Sequence, residues 1–218
     1  MSENRTAVGN LFGGVVNKPS FKWVELIVFY CLFPATIILG LVELKYRWFF
    51  FGLTFVYVAG IVWPTTPKWT NREFWIKKLR FLLKWIALYL LALFGICFLL
   101  YWQGHCALND LIFGLLVFAV YPVSAAAQEL FFRVYFFRRY EALCNGKALF
   151  VLNVLLFAFY HKIYGNWLAM IFSLAGGVIL TSVYWRRRLF WPVWALHAAL
   201  GIAIFMSGLG QHFTDLLE

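Results

Sequence analysis

Long apolar runs separated by short polar connections set the pattern of this chain. They extend from about Trp23 to Leu44, Trp48 to Val62, Phe81 to Trp102, Leu111 to Tyr135, Leu149 to His161, Trp167 to Tyr184 and Trp191 to Met206. A helix that crosses a bilayer needs about 20 mainly apolar residues, so the chain holds roughly seven such helices, or eight. The expected class is all-α: a polytopic transmembrane helix bundle, with residues 1–218 forming a single membrane-embedded domain. The second and fifth runs are short and could be tilted, re-entrant or buried among their neighbours. Between the second and third, the charges and aromatics from Thr70 to Arg80 suggest a short helix lying in the interface. In the fourth run, Pro122 predicts a bend, with the helix restarting near Ser124 as N-cap.

Composition agrees with that pattern. Hydrophobic residues make up 64% and charged residues 13% of 218, where soluble domains carry about 25% charged. There is too little polar surface to cover a water-facing globule, so the main partner is the lipid bilayer. The opening stretch from Met1 to Lys22 lacks the short apolar core of a signal peptide, and the first run is expected to remain as a helix. The net charge of +10 does not point to nucleic acid, because its placement has another reading. Lys and Arg concentrate in cytoplasmic loops. With the N-terminus inside, fourteen basic residues fall on the inner side, including Arg138, Arg139, Lys147 and Arg186 to Arg188. Three, Lys45, Arg47 and Lys162, fall outside. The four cysteines show no paired spacing, and Cys31 and Cys97 sit in apolar runs as small hydrophobes.

The charges inside the runs carry the candidate chemistry, because a charged group in hydrocarbon is costly and usually paired. Glu25, Glu43 and Lys84 lie near run ends, where they can reach the headgroups. Glu129 and Arg133 cannot. They are four residues apart, on one helical face, and Glu129 lies about 14 Å from the inner end at Arg138. His197 lies nine residues beyond Arg188, at the same depth of about 14 Å, and His161 is up to about 21 Å from Lys147. An internal salt bridge that packs helices is one reading of Glu129 and Arg133. Two histidines near the same depth favour a shared polar pocket. There a carboxylate and an imidazole can take a proton from water, and a second imidazole can hydrogen-bond an oxyanion. Such equipment hydrolyses an amide without Ser or Cys, with Arg133 as counter-charge to Glu129. The His, His, Glu set at Glu129, His161 and His197 also leaves zinc open, although no H-E-x-x-H helix is present.

Three motifs in order, Gln128-Glu129-Leu-Phe-Phe-Arg133, Phe157-Ala-Phe-Tyr-His161 and His197-Ala-Ala-Leu-Gly201, resemble the CPBP family, also called Abi or type II CAAX prenyl endopeptidase-like. The resemblance covers about residues 108–212, which it marks as the catalytic core. It implies a cavity among bundled helices open to the cytosolic side of a cell membrane, a bacterial inner membrane. It also implies intramembrane cleavage of a membrane-proximal peptide or protein substrate, with no cofactor. Glu129 and His161 would activate water and His197 would bind the oxyanion. Two positions depart from the family pattern: Gln128 stands where the first Glu of a pair is usual, and Gly201 where Asn is usual. Gln128 followed by Glu129, with Tyr164 to Trp167 and Gly176-Gly177, looks like a branch of the family that carries Gln-Glu natively. These departures keep a second reading open, a non-catalytic scaffold or bacteriocin self-immunity protein on the same fold. A proton-coupled transporter is a third, with no internal repeat to support it.

Overall fold

The computed structural model describes residues 13–62, 98, 102 and 108–206. Among these residues all regular structure is helical. Helix α1 spans Pro19–Ile38. Helix α2 spans Arg47–Tyr57 and continues through a π-turn, Val58–Val62. Helix α3 covers Ile112–Tyr140, α4 Gly146–His161, α5 Trp167–Arg187 and α6 Phe190–Met206. The expected third run, the interfacial helix, Lys84, Cys97 and the acidic tail lie outside the described residues.

Four helices are long and apolar enough to cross a membrane among the described residues: Pro19–Ile38, Ile112–Tyr140, Gly146–Tyr164 and Trp167–Arg186. Val24, Leu32, Val123, Leu155, Ile171 and Val178 stand exposed along them. In water such rows of large apolar side chains would drive association; in a bilayer they face acyl chains. The protein is a multi-pass membrane protein by the composition of its helices. The short fifth run lengthens in the structure. Asn145 caps α4 by accepting from the Ala148 N–H at 2.9 Å, and a turn of 3-10 helix, Lys162–Tyr164, extends the far end to Gly165. Gly165 has φ of 71°, a left-handed conformation that stops the helix.

The fourth run does not restart at Ser124, contrary to the sequence expectation. Helix α3 passes through Pro122, and Ser124 lies inside the helix rather than capping one. The reason is a π-turn, Leu116–Val120, placed just before the proline. Proline has no N–H and its ring clashes with the carbonyl four residues back, here that of Phe118, at the centre of the widened turn. The Tyr121 N–H bonds Leu116 O, five residues back. Helix α1 repeats the device: its π-turn, Val28–Leu32, is centred four residues before Pro34, and the Phe33 N–H bonds Val28 O.

The chain falls into two compact units, Met1–Asn71 with Tyr135–Ile179, and Arg72–Val134 with Leu180–Glu218. In the first, a polar knot corrects the reading of Glu25. Its side chain is buried at 5% exposure, so it does not reach for headgroups. Its carboxylate accepts from Arg139 Nε at 2.9 Å and Nη2 at 2.8 Å. Three phenols also donate to it: Tyr57 at 2.6 Å, Tyr135 at 2.5 Å and Tyr140 at 2.8 Å. Arg139 turns its remaining N–H groups to Asn17 Oδ1 and Val16 O. A buried ion pair holds only when further hydrogen bonds satisfy the remaining atoms, and the phenols supply them. Aromatic edges close over the knot, with the Tyr30 ring 5.3 Å from Phe136 and 6.1 Å from Tyr140. Glu43 behaves as expected, exposed and paired with Lys45 at 2.6 Å.

Also in this unit, α5 approaches α4 at Gly177, where an added Cβ would stand 3.2 Å from Phe157 Cδ1 and 3.6 Å from Val154 Cγ1. Small residues permit such contact between membrane helices. In the second unit α6 packs along the Tyr121–Glu129 stretch of α3, and Trp194 Nε1 donates to Pro122 O at 2.8 Å.

Glu25→Ala leaves Arg139 buried without its counter-charge, so unfolding in detergent should show a loss of about 3–5 kcal/mol. Glu43→Ala should not change it measurably. Gly177→Val forces a branched side chain onto Phe157 and should cost about 1–3 kcal/mol in the same measurement.

Candidate active site

The second unit assembles Glu129, Arg133 and His197. Glu129 ends the regular stretch of α3 and Arg133 lies in the π-turn that follows, Leu130–Tyr135. Both side chains are fully buried, with Glu129 Oε2 3.3 Å from Arg133 Nε. The i, i+4 face argument therefore holds through a turn that is not regular α-helix. The other oxygen, Oε1, meets His197 Nδ1 at 2.7 Å. The equal depths expected for Glu129 and His197 correspond to this contact between α3 and α6.

The chemistry of the contact fixes the proton. A carboxylate only accepts, so Nδ1 of a neutral His197 donates and Nε2 keeps its lone pair. Holding an imidazole through one nitrogen to make the other reactive is what a carboxylate does for a catalytic or metal-binding histidine. Glu129 is thereby engaged on both sides, by an imidazole and by a guanidinium.

Gln128 takes no part in that contact. It is half-buried, and its Nε2 donates to Ser124 Oγ at 3.3 Å, one turn back along its own helix. Position 128 is about 100° around the helix from position 129, which separates the amide from the carboxylate. His161 belongs to the first unit and closes α4. Its Nδ1 lies 2.8 Å from Phe157 O, its ring 4.5 Å from that of Phe157 and 5.9 Å from that of Tyr164. A carbonyl oxygen also only accepts, so a neutral His161 too donates through Nδ1. Gly177, which lets α5 seat against Phe157, supports the residue that holds this histidine. For zinc, no group of three His, Cys, Asp or Glu side chains able to share an ion is present among the described residues.

The sequence reading missed one neighbour of His197. Tyr121 leaves α3 eight residues before Glu129, and its ring stands edge-on to the imidazole with centroids 6.2 Å apart. Its hydroxyl and Cζ fill the space where a Cβ on Gly201 would sit. Nothing in the charge pattern marks one tyrosine among eleven. The available signal was Gly201, one turn from His197, where any side chain would occupy the ground the phenol takes.

The shared feature of the two histidines can be read by nitrogen NMR. In protein labelled with 15N-histidine, the neutral forms of His161 and His197 should carry the proton on Nδ1 rather than on Nε2. Glu129→Gln should relax that preference at His197 and leave it intact at His161.

Comparison with curated proteins and with solved structures gives no match. Residues 108–203, the segment holding the Gln128-to-Arg133 motif, His161 and His197, match the model of the family described as type II CAAX prenyl endopeptidase, Rce1-like, and carry a domain similar to that family.

Proposed function

We propose that the protein is an intramembrane endopeptidase that hydrolyses a peptide bond of a membrane-proximal substrate with activated water, on the cytoplasmic side of a cell membrane. The observation that carries this reading is the 2.7 Å bond between Glu129 Oε1 and His197 Nδ1, within the segment similar to the prenyl endopeptidase family. His197 Nε2 takes a proton from water as the water oxygen adds to the scissile carbonyl carbon. Glu129 holds the ring in its tautomer and stabilises the imidazolium that forms. When the tetrahedral adduct collapses, the carbon–nitrogen bond breaks and the proton passes to the leaving amine. Arg133 balances the charge of Glu129 inside the bundle. The family resemblance gives water activation to Glu129 with His161; the contact with His197 supports a division in which Glu129 acts through that imidazole. His161 enters the reaction on its motif alone, as a second base. Gln128 has no basic atom and serves as a hydrogen-bonding group.

A prenylated CAAX peptide is the substrate class in the family's name; bacteriocin leaders and membrane-protein segments suit the same chemistry. The second reading, a non-catalytic scaffold or self-immunity protein, is favoured by the Gln128 amide, which is turned onto Ser124. Purified protein in liposomes, given a farnesylated CAAX peptide and peptides from membrane-protein segments, should yield a defined product by mass spectrometry. Glu129→Gln should lower kcat on the order of 10⁴-fold, and His197→Ala and His161→Ala should remove cleavage, all three remaining folded. Cleavage surviving in both Glu129→Gln and His197→Ala overturns the mechanism. Absence of any product, with Glu129→Gln less stable yet still partner-protective, selects the scaffold.

A further inference from the structure

We infer that the Tyr121 hydroxyl is a second working group of this site, donating a hydrogen bond to the oxyanion that forms when water adds to the substrate carbonyl. The inference rests on the hydrolytic reading above and assigns a role that reading leaves vacant. His197 Nε2 receives the proton of water and must then give it to the leaving amine. During that interval the same atom cannot also serve the carbonyl oxygen, so the negative charge needs another donor. In a low-dielectric site an unanswered oxyanion is far more costly than in water.

Three observations point to Tyr121. Its backbone is fixed where the π-turn Leu116–Val120 meets Pro122: the Tyr121 N–H bonds Leu116 O, and Pro122 O accepts from Trp194 of α6. Its side chain is wedged between two residues of that helix, with ring centroids 5.2 Å from Phe205 and 6.2 Å from His197. Its oxygen reaches the backbone of α6 at Gly201, filling the volume a Cβ would take. His197 and Gly201 are four residues apart, hence one turn apart on one face, with about 5–6 Å between their Cβ positions. The hydroxyl therefore stands beside the imidazole on the same side of α6.

A phenylalanine opposite an alanine would fill the same volume with apolar contact, whereas here a glycine admits a polar oxygen to the helix surface. A phenol also suits the task electrically. It donates without carrying a charge of its own, so it adds no further ion to the bundle.

The test uses the full-length protein in liposomes and the cleavage assay above. Tyr121→Phe keeps the ring and should leave KM and the unfolding midpoint unchanged while lowering kcat by about 10²–10³-fold. Gly201→Ala should expel the hydroxyl and give a comparable loss, and the double variant should be no slower than the slower single one. Incorporating 3-fluorotyrosine at position 121 keeps the shape and strengthens the donor, so kcat should move with no change in stability. Full kcat in Tyr121→Phe, or an unmoved kcat with 3-fluorotyrosine, overturns the role of the hydroxyl. If Glu129→Gln still abolishes cleavage in that case, hydrolysis stands without Tyr121. If the wild-type protein cleaves nothing, both readings fall together.

Discussion

A carboxylate among apolar helices has no water to solvate it, and the way each buried carboxylate is answered organises the structure. Glu25 receives five hydrogen bonds, two from a guanidinium and three from phenols. Its lone pairs are saturated, and nothing is left to react. Glu129 is answered more sparingly, by one imidazole bond and an ion pair at 3.3 Å that does not form a hydrogen bond to Oε2. The difference separates a fastening from the group to which we assign a working role. A saturated carboxylate is inert, whereas one bonded to an imidazole transmits its charge to the far nitrogen of that ring.

Helix α3 carries most of the buried cluster around His197. Tyr121, Glu129 and Arg133 lie along it, and the same stretch receives α6 with His197 and Gly201. Precision of this kind in a membrane helix comes from backbone devices. The π-turn before Pro122 keeps the helix continuous, and the Trp194 indole fixes α6 against the proline carbonyl. Gly201 then lets the two helices share a volume that any side chain would have closed.

Much of this was legible in the residues. Hydropathy specified the helical class and the runs that fall among the described residues, and the cost of charge in hydrocarbon singled out Glu129 and Arg133. Counting rise per residue from the basic boundaries put His197 level with Glu129, and the two are bonded. The same method failed at Glu25. Depth along a helix says nothing of direction around it, and the partner Arg139 is 114 residues away. Both ends of that pair read as ordinary boundary charges. The restart expected at Ser124 failed for a related reason, because a π-turn is a matter of backbone hydrogen bonding that leaves no compositional mark. Tyr121 escaped because an uncharged residue in an apolar run costs little and so attracts no attention.

The π-turn Leu116–Val120 has a consequence for how this segment can vary. It holds one residue more than the regular helix requires, and every residue in it, Leu, Val, Phe, Ala and Val, is interchangeable by hydropathy. Losing any one of them would leave the apolar profile intact and restore ordinary winding. Everything beyond would then turn by about 100° relative to what precedes it. The segment therefore tolerates exchange of letters and not a change in their number. In related chains, insertions and deletions between position 111 and Glu129 should be rarer than substitutions, a reading frame kept by geometry rather than by codons.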